Sequence, residues 1–253
     1  MTPRRRTRPL LSGLVTLVAL LVAAACGGDD GEGGAAGGTN AAPARRVTVV
    51  LDWTPNTNHS GVYLARSTGR YEEAGLDVEI VEPGQDGALS QIAAGNGEFG
   101  FSVAESILPA RAQGVPVVSL AAVIAHNTSS LVAPADRGIT RPADLQGKTY
   151  GGFGGELERA LVEDLVRCDG GDPSTVRFVE VGNVDYRVGF DRGDFDFVWV
   201  FDGWDTIRLA DIGGMDVTTI PFVEHTECIP DWYTPVIATN ESLVSQDPEL
   251  VRA

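Results

Sequence analysis

The sequence is poor in cysteine, in lysine, in positive charge and in long apolar runs, and each shortage excludes something. Its 253 residues hold three cysteines, none in a CxxC or other metal-binding spacing, which excludes a zinc ribbon or finger. Beyond Cys26, near the N-terminus, Cys168 and Cys228 remain, either as a disulfide or as two separate thiols. Lys148 is the only lysine, so arginine carries almost all the positive charge. Nineteen basic residues stand against 35 acidic ones, for a formal net charge of −16. Nucleic acid demands a basic face, so that partner is excluded, and the overall field opposes anionic ligands. The one apolar run of note, residues 10–22, is short for a bilayer span.

What is present begins with an address. Arg4, Arg5, Arg6 and Arg8 precede that apolar run, and Ala23-Ala24-Ala25-Cys26 follows it. This reads as a lipoprotein signal peptide over 1–26, with Cys26 as the lipid-modified terminus that anchors the chain to a membrane. Losing the four arginines would take the charge from −16 to −20. Residues 27–45 are rich in glycine, alanine and acid, too polar to bury a core, and read as a disordered tether.

The folded part is organised around residues 47–81, VTVVLDWTPNTNHSGVYLARSTGRYEEAGLDVEIV. Val47, Val49, Val50 and Leu51 signal a buried strand. Asp52, Trp53, Thr54, Pro55, Asn56, Thr57, Asn58 and His59 form a polar and aromatic loop, a helical pattern follows, and residues 75–81 are a second strand. In open α/β sheets ligands bind where strand C-termini feed loops and helix N-termini, which is where this loop lies. The stretch LDWTPNTNHSGVYLARSTGRYEEAGLDVEI resembles the opening of bacterial pyrimidine-precursor-binding proteins of thiamine salvage transporters. Those belong to the wider family related to fungal thiamine-pyrimidine synthase, and the resemblance covers about residues 46–253.

Further along, 87–94, 104–113, 156–168 and 186–192 have helical patterns, and 98–103, 116–123 running on to 132, 176–181, 196–200 and 217–220 read as strands. Residues 140–147 read as a helical turn with Thr140 as its cap. A weak internal echo, in which a helix ends in glycine and an acid and an aromatic then open a strand, links residues 94–99 with 191–196. The resemblance implies an α/β, bilobed periplasmic-binding-protein type II fold with a ligand cleft between two α/β lobes. Lobe 1 would be 46–136 plus 234–253, lobe 2 would be 137–233, and closure would be a hinge motion. Asp247 and Pro248 open a further helix, and the sequence stops soon after, where family members continue with more helices. On that comparison the chain is expected to be truncated.

Candidate binding residues follow from these positions. Asp52 would accept from an exocyclic amine and Trp53 would stack on a flat heterocycle; the alternative is a loop acid and a packing indole. Asn56 and Asn58 offer donors and acceptors but also make caps and Asx-turns. His59 aligns with the histidine consumed by the fungal synthase; here it would line the pocket or merely open a helix. Glu105 opens a helix, where a carboxylate is favoured with or without a ligand. Residues 151–155, GGFGG, precede a helix but are neither a Walker A loop nor a G-x-G-x-x-G. The resemblance makes them a cleft wall with Glu158 facing the ligand, although Glu156 stands where many relatives have proline. At least one of Phe201, Asp202 and Trp204 is expected to reach the ligand, with Tyr233, next to a hinge, as a second stacking partner.

The resulting expectation is a non-enzymatic, monomeric solute-binding lipoprotein on the extracytoplasmic face. It would deliver a formylaminopyrimidine or hydroxymethylpyrimidine to ABC permease subunits, with no cofactor and no metal. The same fold could instead take an alkylsulfonate, nitrate or another solute, but the first loop offers neither Arg nor Lys. A pyrimidine synthase is the weaker alternative. That family carries a cysteine-rich stretch near 227–235, where this chain has Cys228 alone; a signal peptide removes the chain from cytosolic cofactors, and Lys148 lies outside the first loop.

Overall fold

The computed structural model describes residues 43–84 and 87–253. The expected signal peptide over 1–26, with Cys26, and residues 27–42 of the expected tether lie outside the described residues. Arg45, expected at the end of the tether, already opens the first strand.

The strands are β1 (Arg45–Val50), β2 (Leu76–Val81), β3 (Phe99–Ser102), β4 (Val117–Ala122), β5 (Ser129–Pro134), β6 (Thr149–Gly152), β7 (Arg177–Glu180), β8 (Phe197–Phe201), β9 (Val217–Pro221) and β10 (Val236–Asn240). The α-helices are α1 (Ser60–Ser67), α2 (Arg70–Glu73), α3 (Gly87–Ala93), α4 (Ala104–Ala112), α5 (Glu156–Cys168), α6 (Tyr186–Arg192), α7 (Glu241–Gln246) and α8 (Pro248–Arg252). They build two five-stranded sheets, ordered β2-β1-β3-β10-β4 and β7-β6-β8-β5-β9. In each, three parallel strands are followed by an antiparallel strand that arrives from the other sheet and pairs on both sides. The two lobes therefore share one topology.

The internal echo has a physical basis, in a register set by the helix ends. Gly95 and Gly193 both adopt positive φ at the ends of α3 and α6. Three residues later, Glu98 accepts the amide of Thr48 at 2.7 Å and Asp196 accepts that of Thr149 at 2.8 Å. Each acid thus pins two parallel neighbours of its own sheet together, β1 with β3 and β6 with β8. Glycine is required where Phe195 packs, since a Cβ on Gly189 would lie 2.2 Å from its ring.

One boundary differs from the sequence expectation. Residues 116–132 read as a continuous strand that kept 46–136 together, but β5 belongs to the second sheet. Between β4 and β5 the polar trio His126-Asn127-Thr128 breaks the run, and the chain crosses over there. β5 is buried along almost its whole length because it sits inside a sheet covered on both faces. Asp231 clips this crossover to the returning one: its carboxylate bonds His126 Nδ1 at 2.6 Å and accepts the Asn127 amide at 2.8 Å. The Thr234–Pro235 peptide bond beside it is cis.

Each lobe has its own apolar core. In the first, Val49, Leu51 and Phe101 pack together, and Ile92, Ile107, Val236 and Ala238 form a second cluster. In the second, the amphipathic helix α5 buries Leu161, Val162, Leu165 and Val166 against Leu131, Tyr150 and Phe197. Each fully buried Leu or Phe contributes roughly 1.5–3 kcal/mol of transfer free energy. Cys168, at the end of α5, is bonded to Cys228 across a 60-residue separation, which settles the open question of those thiols. The turn at 140–147 is a 3-10 helix, Pro142–Leu145, whose cap is inverted from expectation: Asp144 accepts from the amides of Thr140 and Arg141 and from the Thr140 hydroxyl. Asp247 accepts the Leu250 amide and caps α8.

Candidate functional site

Between the lobes lies a cavity of about 540 Å³. Segments that follow strand ends in both sheets feed it, among them the loop after β1, the start of α4 after β3, the glycine loop after β6, and the helical turns after β8. Asp52, Trp53 and Asn56 line it from the first, Glu105 from the second, Phe153 and Glu158 from the third, and Phe201 and Trp204 from the fourth.

The first loop is held from within. His59 is fully buried and lies edge-on to Phe101 with ring centroids 4.8 Å apart. Its Nδ1 accepts the Asn56 amide at 3.2 Å, so the hydrogen of the neutral ring sits on Nε2, 2.7 Å from Asp52 Oδ1. An imidazolium would point a hydrogen at the Asn56 N–H, so the neutral tautomer is the one that fits. His59 therefore does not line the cavity as expected; it stands behind Asp52 and orients it, leaving Oδ2 for the cleft. Asn56 reaches the wall with its side chain already engaged: Oδ1 accepts the Asn58 amide and Nδ2 donates to the Thr54 carbonyl. Its capping role is the one realised, and Asn58 also reaches the cavity.

Glu158 explains the glycine loop. Its carboxylate accepts the amides of Phe153 and Gly155, both at 3.0 Å, and the Tyr150 hydroxyl at 3.1 Å. The positive N-terminus of α5 thus already holds a built-in anion, and burial together with this carboxylate pushes the Tyr150 phenol far up.

After β8 the backbone widens into π-helical turns, Asp202–Thr206 and Arg208–Ile212, a departure that recurs at functional sites. Trp204 faces the cavity, but Asp202 does not: it accepts from the hydroxyls of Ser130 and Thr206 and fastens this segment to β5. The expectation for Asp202 is corrected accordingly. Tyr233 is 58% exposed and lies outside the cavity lining, because the chain there turns away into the crossover to β10; its expected stacking role is not realised in this geometry. Trp199, on the strand itself, lines the cavity instead and packs against Trp232.

Sequence reasoning passed over Tyr186, Asp205 and Arg208, which also line the cavity. Arg208 is the one cationic lining side chain among the described residues. It lies 3.5 Å from Asp205 and over the Trp204 ring at 5.4 Å. Burial raises the Asp205 carboxyl and Arg208 opposes the rise; burial, then Asp205 and Glu158, push the Tyr186 phenol up to about 12. The i, i+3 spacing of Asp205 and Arg208 just after Trp204 was the available signal. Glu105 is the most perturbed acid in the cleft: burial carries its carboxyl up to about 7, against its own amide and the Trp232 indole, with Asp52 adding to the rise.

The lobes also touch directly. The Thr57 hydroxyl donates to the Gly203 carbonyl at 2.6 Å, and Trp53 meets Phe153 edge-on with centroids 6.3 Å apart. Among the described residues no group of three or more His, Cys, Asp or Glu could hold a metal ion, and no helix is long and apolar enough to cross a membrane.

Two like-wound α/β lobes joined by two crossovers, with a cleft at the strand C-termini, define the bilobed solute-binding class of fold. Solved structures agree. The aliphatic sulphonate binding protein of Escherichia coli superposes with a TM-score of 0.64 at 15% identity, covering 82% of this chain and 65% of that one. The alkanesulfonate-binding protein of Xanthomonas axonopodis, bound to MOPS, gives 0.62 at 15% identity, over 84% and 71%. The chain belongs to the NMT1/THI5-like family, whose model matches residues 56–253. It is 28% identical over 211 residues to a formylaminopyrimidine-binding protein of Halalkalibacterium halodurans, covering 82% of this chain and 62% of that protein. It is 30% identical over 138 residues to a 4-amino-5-hydroxymethyl-2-methylpyrimidine phosphate synthase of Legionella pneumophila, covering 54% and 43%. The chain thus spans about three-fifths of the first relative and under half of the second.

Proposed function

We propose that this chain is the extracytoplasmic solute-binding component of an ABC importer, exported and lipid-anchored through Cys26. It captures a thiamine-related aminopyrimidine as a monomer and hands it to the permease without chemistry. The observation that carries this reading is the lining of the cleft: carboxylates and aromatic faces, with its one cation, Arg208, committed to Asp205 and Trp204. A flat heterocycle bearing an exocyclic amine offers donors to Asp52 and Glu105 and a face to Trp53 or Trp204. The likeness to a formylaminopyrimidine-binding protein supports the same choice.

The sulfonate alternative is disfavoured by Glu158, which already occupies the amides of the glycine loop that an anion would use. The synthase alternative would need His59 to be reachable, yet it is fully buried behind Asp52, and Cys228 is held in a disulfide. Thermal denaturation of the purified protein with formylaminopyrimidine, hydroxymethylpyrimidine, thiamine and taurine, each in excess, tests the choice. A ligand that binds only the folded state raises the melting temperature. An increase with a pyrimidine and none with taurine is expected; an increase with taurine alone contradicts the reading.

A further inference from the structure

Glu105 lies in the first turn of α4 and lines the cleft. Its Oε2 is shut off from solvent and meets no hydrogen-bond partner. The Trp232 indole lies beside it, near enough to influence the carboxyl, but its Nε1 is also buried outside bonding geometry. The other titratable groups facing this cavity are accounted for. Asp52 is oriented by the neutral His59 from the β1 loop. Glu158, on α5, is tied to the glycine loop and Tyr150. Asp205 and Arg208 face one another after β8, and Tyr186 comes from α6. Glu105 is therefore the carboxyl with a shielded oxygen left to offer. Burying such an oxygen as an anion is costly without a donor, and that cost is relieved by a proton or by a ligand that brings one.

Resting on the pyrimidine reading above, we propose that Glu105 is a specificity-determining residue: it selects a ligand whose ring nitrogen is a weak base beside an exocyclic amine, and the complex holds one proton shared between that nitrogen and the carboxyl. The balance is simple. A neutral ligand meeting an ionised Glu105 takes one proton from solvent; meeting a protonated Glu105, it takes none. No covalent bond forms. With burial raising the carboxyl to about 7 in the free protein, binding takes up part of a proton at neutral pH, and the uptake grows from pH 7 to pH 8 as more of the free protein is ionised. A ligand with a fixed positive charge would do the opposite, expelling the proton already on Glu105. The sign of the exchange thus reports the class of ligand that the residue is built for.

The test is calorimetric titration of the purified protein with 4-amino-5-hydroxymethyl-2-methylpyrimidine at pH 7 and pH 8, in buffers of different ionisation enthalpy. Proton uptake is expected in the wild type, larger at pH 8. In E105Q, which keeps the shape but cannot ionise, affinity is expected to fall about tenfold or more and the buffer dependence to vanish. If E105Q binds too weakly to titrate, E105D, which retains a carboxyl, is expected to bind less tightly with uptake preserved. Pyrimidine binding with no proton exchange, with release, or with uptake that survives in E105Q overturns the role of Glu105 and leaves the pyrimidine reading standing. No binding of any pyrimidine by the wild type overturns both.

Discussion

His59 Nε2 lies 2.7 Å from Asp52 Oδ1, with the histidine fully buried and the aspartate facing the cleft. The pair turns a flexible loop carboxylate into a directed acceptor. The imidazole is fixed in turn by the Asn56 amide and the edge contact with Phe101, so the direction of Asp52 is ultimately set by the core of the first lobe.

Replacing His59 by alanine is expected to weaken pyrimidine binding about tenfold although the side chain never reaches the cavity. Asp52 loses its orienting donor, and the part-buried Asn56 amide loses its acceptor, at a cost below the roughly 1–3 kcal/mol of a fully buried unsatisfied group. Thermal denaturation and ligand titration of His59→Ala check both effects together; a variant with unchanged affinity would show that Asp52 needs no orientation.

Glu158→Gln retains the volume of the side chain but weakens the anchor of the glycine loop. Hydrogen bonds to a charged group are worth roughly 1.5–3 kcal/mol, so a drop in melting temperature is expected even without ligand. It should be accompanied by faster amide exchange at Phe153 and Gly155. Unchanged exchange there would mean the loop is held by its own backbone.

How much of this was readable beforehand depended on whether a signal was local. The β1 loop and the α5 stripe rest on short patterns of apolar and polar residues and are visible in the sequence; the return of residues 234–253 to the first lobe was implied by the family resemblance alone. The β4–β5 crossover was missed because both flanking segments are apolar and β-branched, and only the His126-Asn127-Thr128 interruption separates them. Asp52, Trp53, Glu105, Glu158, Phe201 and Trp204 do converge on one cavity. His59, Asp202 and Tyr233 do not, because a residue's position at a strand end says nothing of whether its side chain turns toward the cleft, the core or the solvent. Asp205 and Arg208 reach the cavity by way of the π-helical turns, a backbone departure with no sequence period to announce it, and Tyr186 reaches it from the start of α6.

The bond between Cys168 and Cys228 closes a loop of 60 residues in sequence, which corresponds to about 4 kcal/mol in the chain-entropy treatment. The double variant Cys168→Ser, Cys228→Ser is expected to melt well below the wild type and, while folded, to bind ligand normally, since neither residue lines the cavity. A lost affinity in the folded variant would tie the disulfide to the cleft.

Between the two crossovers, the His126 hydrogen bond and then the Asn127 amide hold the Asp231 carboxyl below its ordinary value of 3.8. A carboxyl lowered on folding adds stability that is present above pH 3.8 and is lost as pH falls through the lowered value. His126→Ala is therefore expected to lower stability at neutral pH and to move the acid-unfolding midpoint to higher pH, with the difference from wild type fading below the lowered value. An unmoved midpoint in circular dichroism across that window would mean the clip contributes nothing to folding.

The central claim is that the acid-and-aromatic cleft binds an aminopyrimidine, and calorimetric titration of the purified protein with formylaminopyrimidine and with taurine tests it most directly. Saturable one-to-one binding of the pyrimidine is expected, weakened at least tenfold in Trp53→Ala, with no heat from taurine. One-to-one binding of taurine with silence from the pyrimidine would contradict it, and the cleft would then have to be read as an anion site despite Glu158.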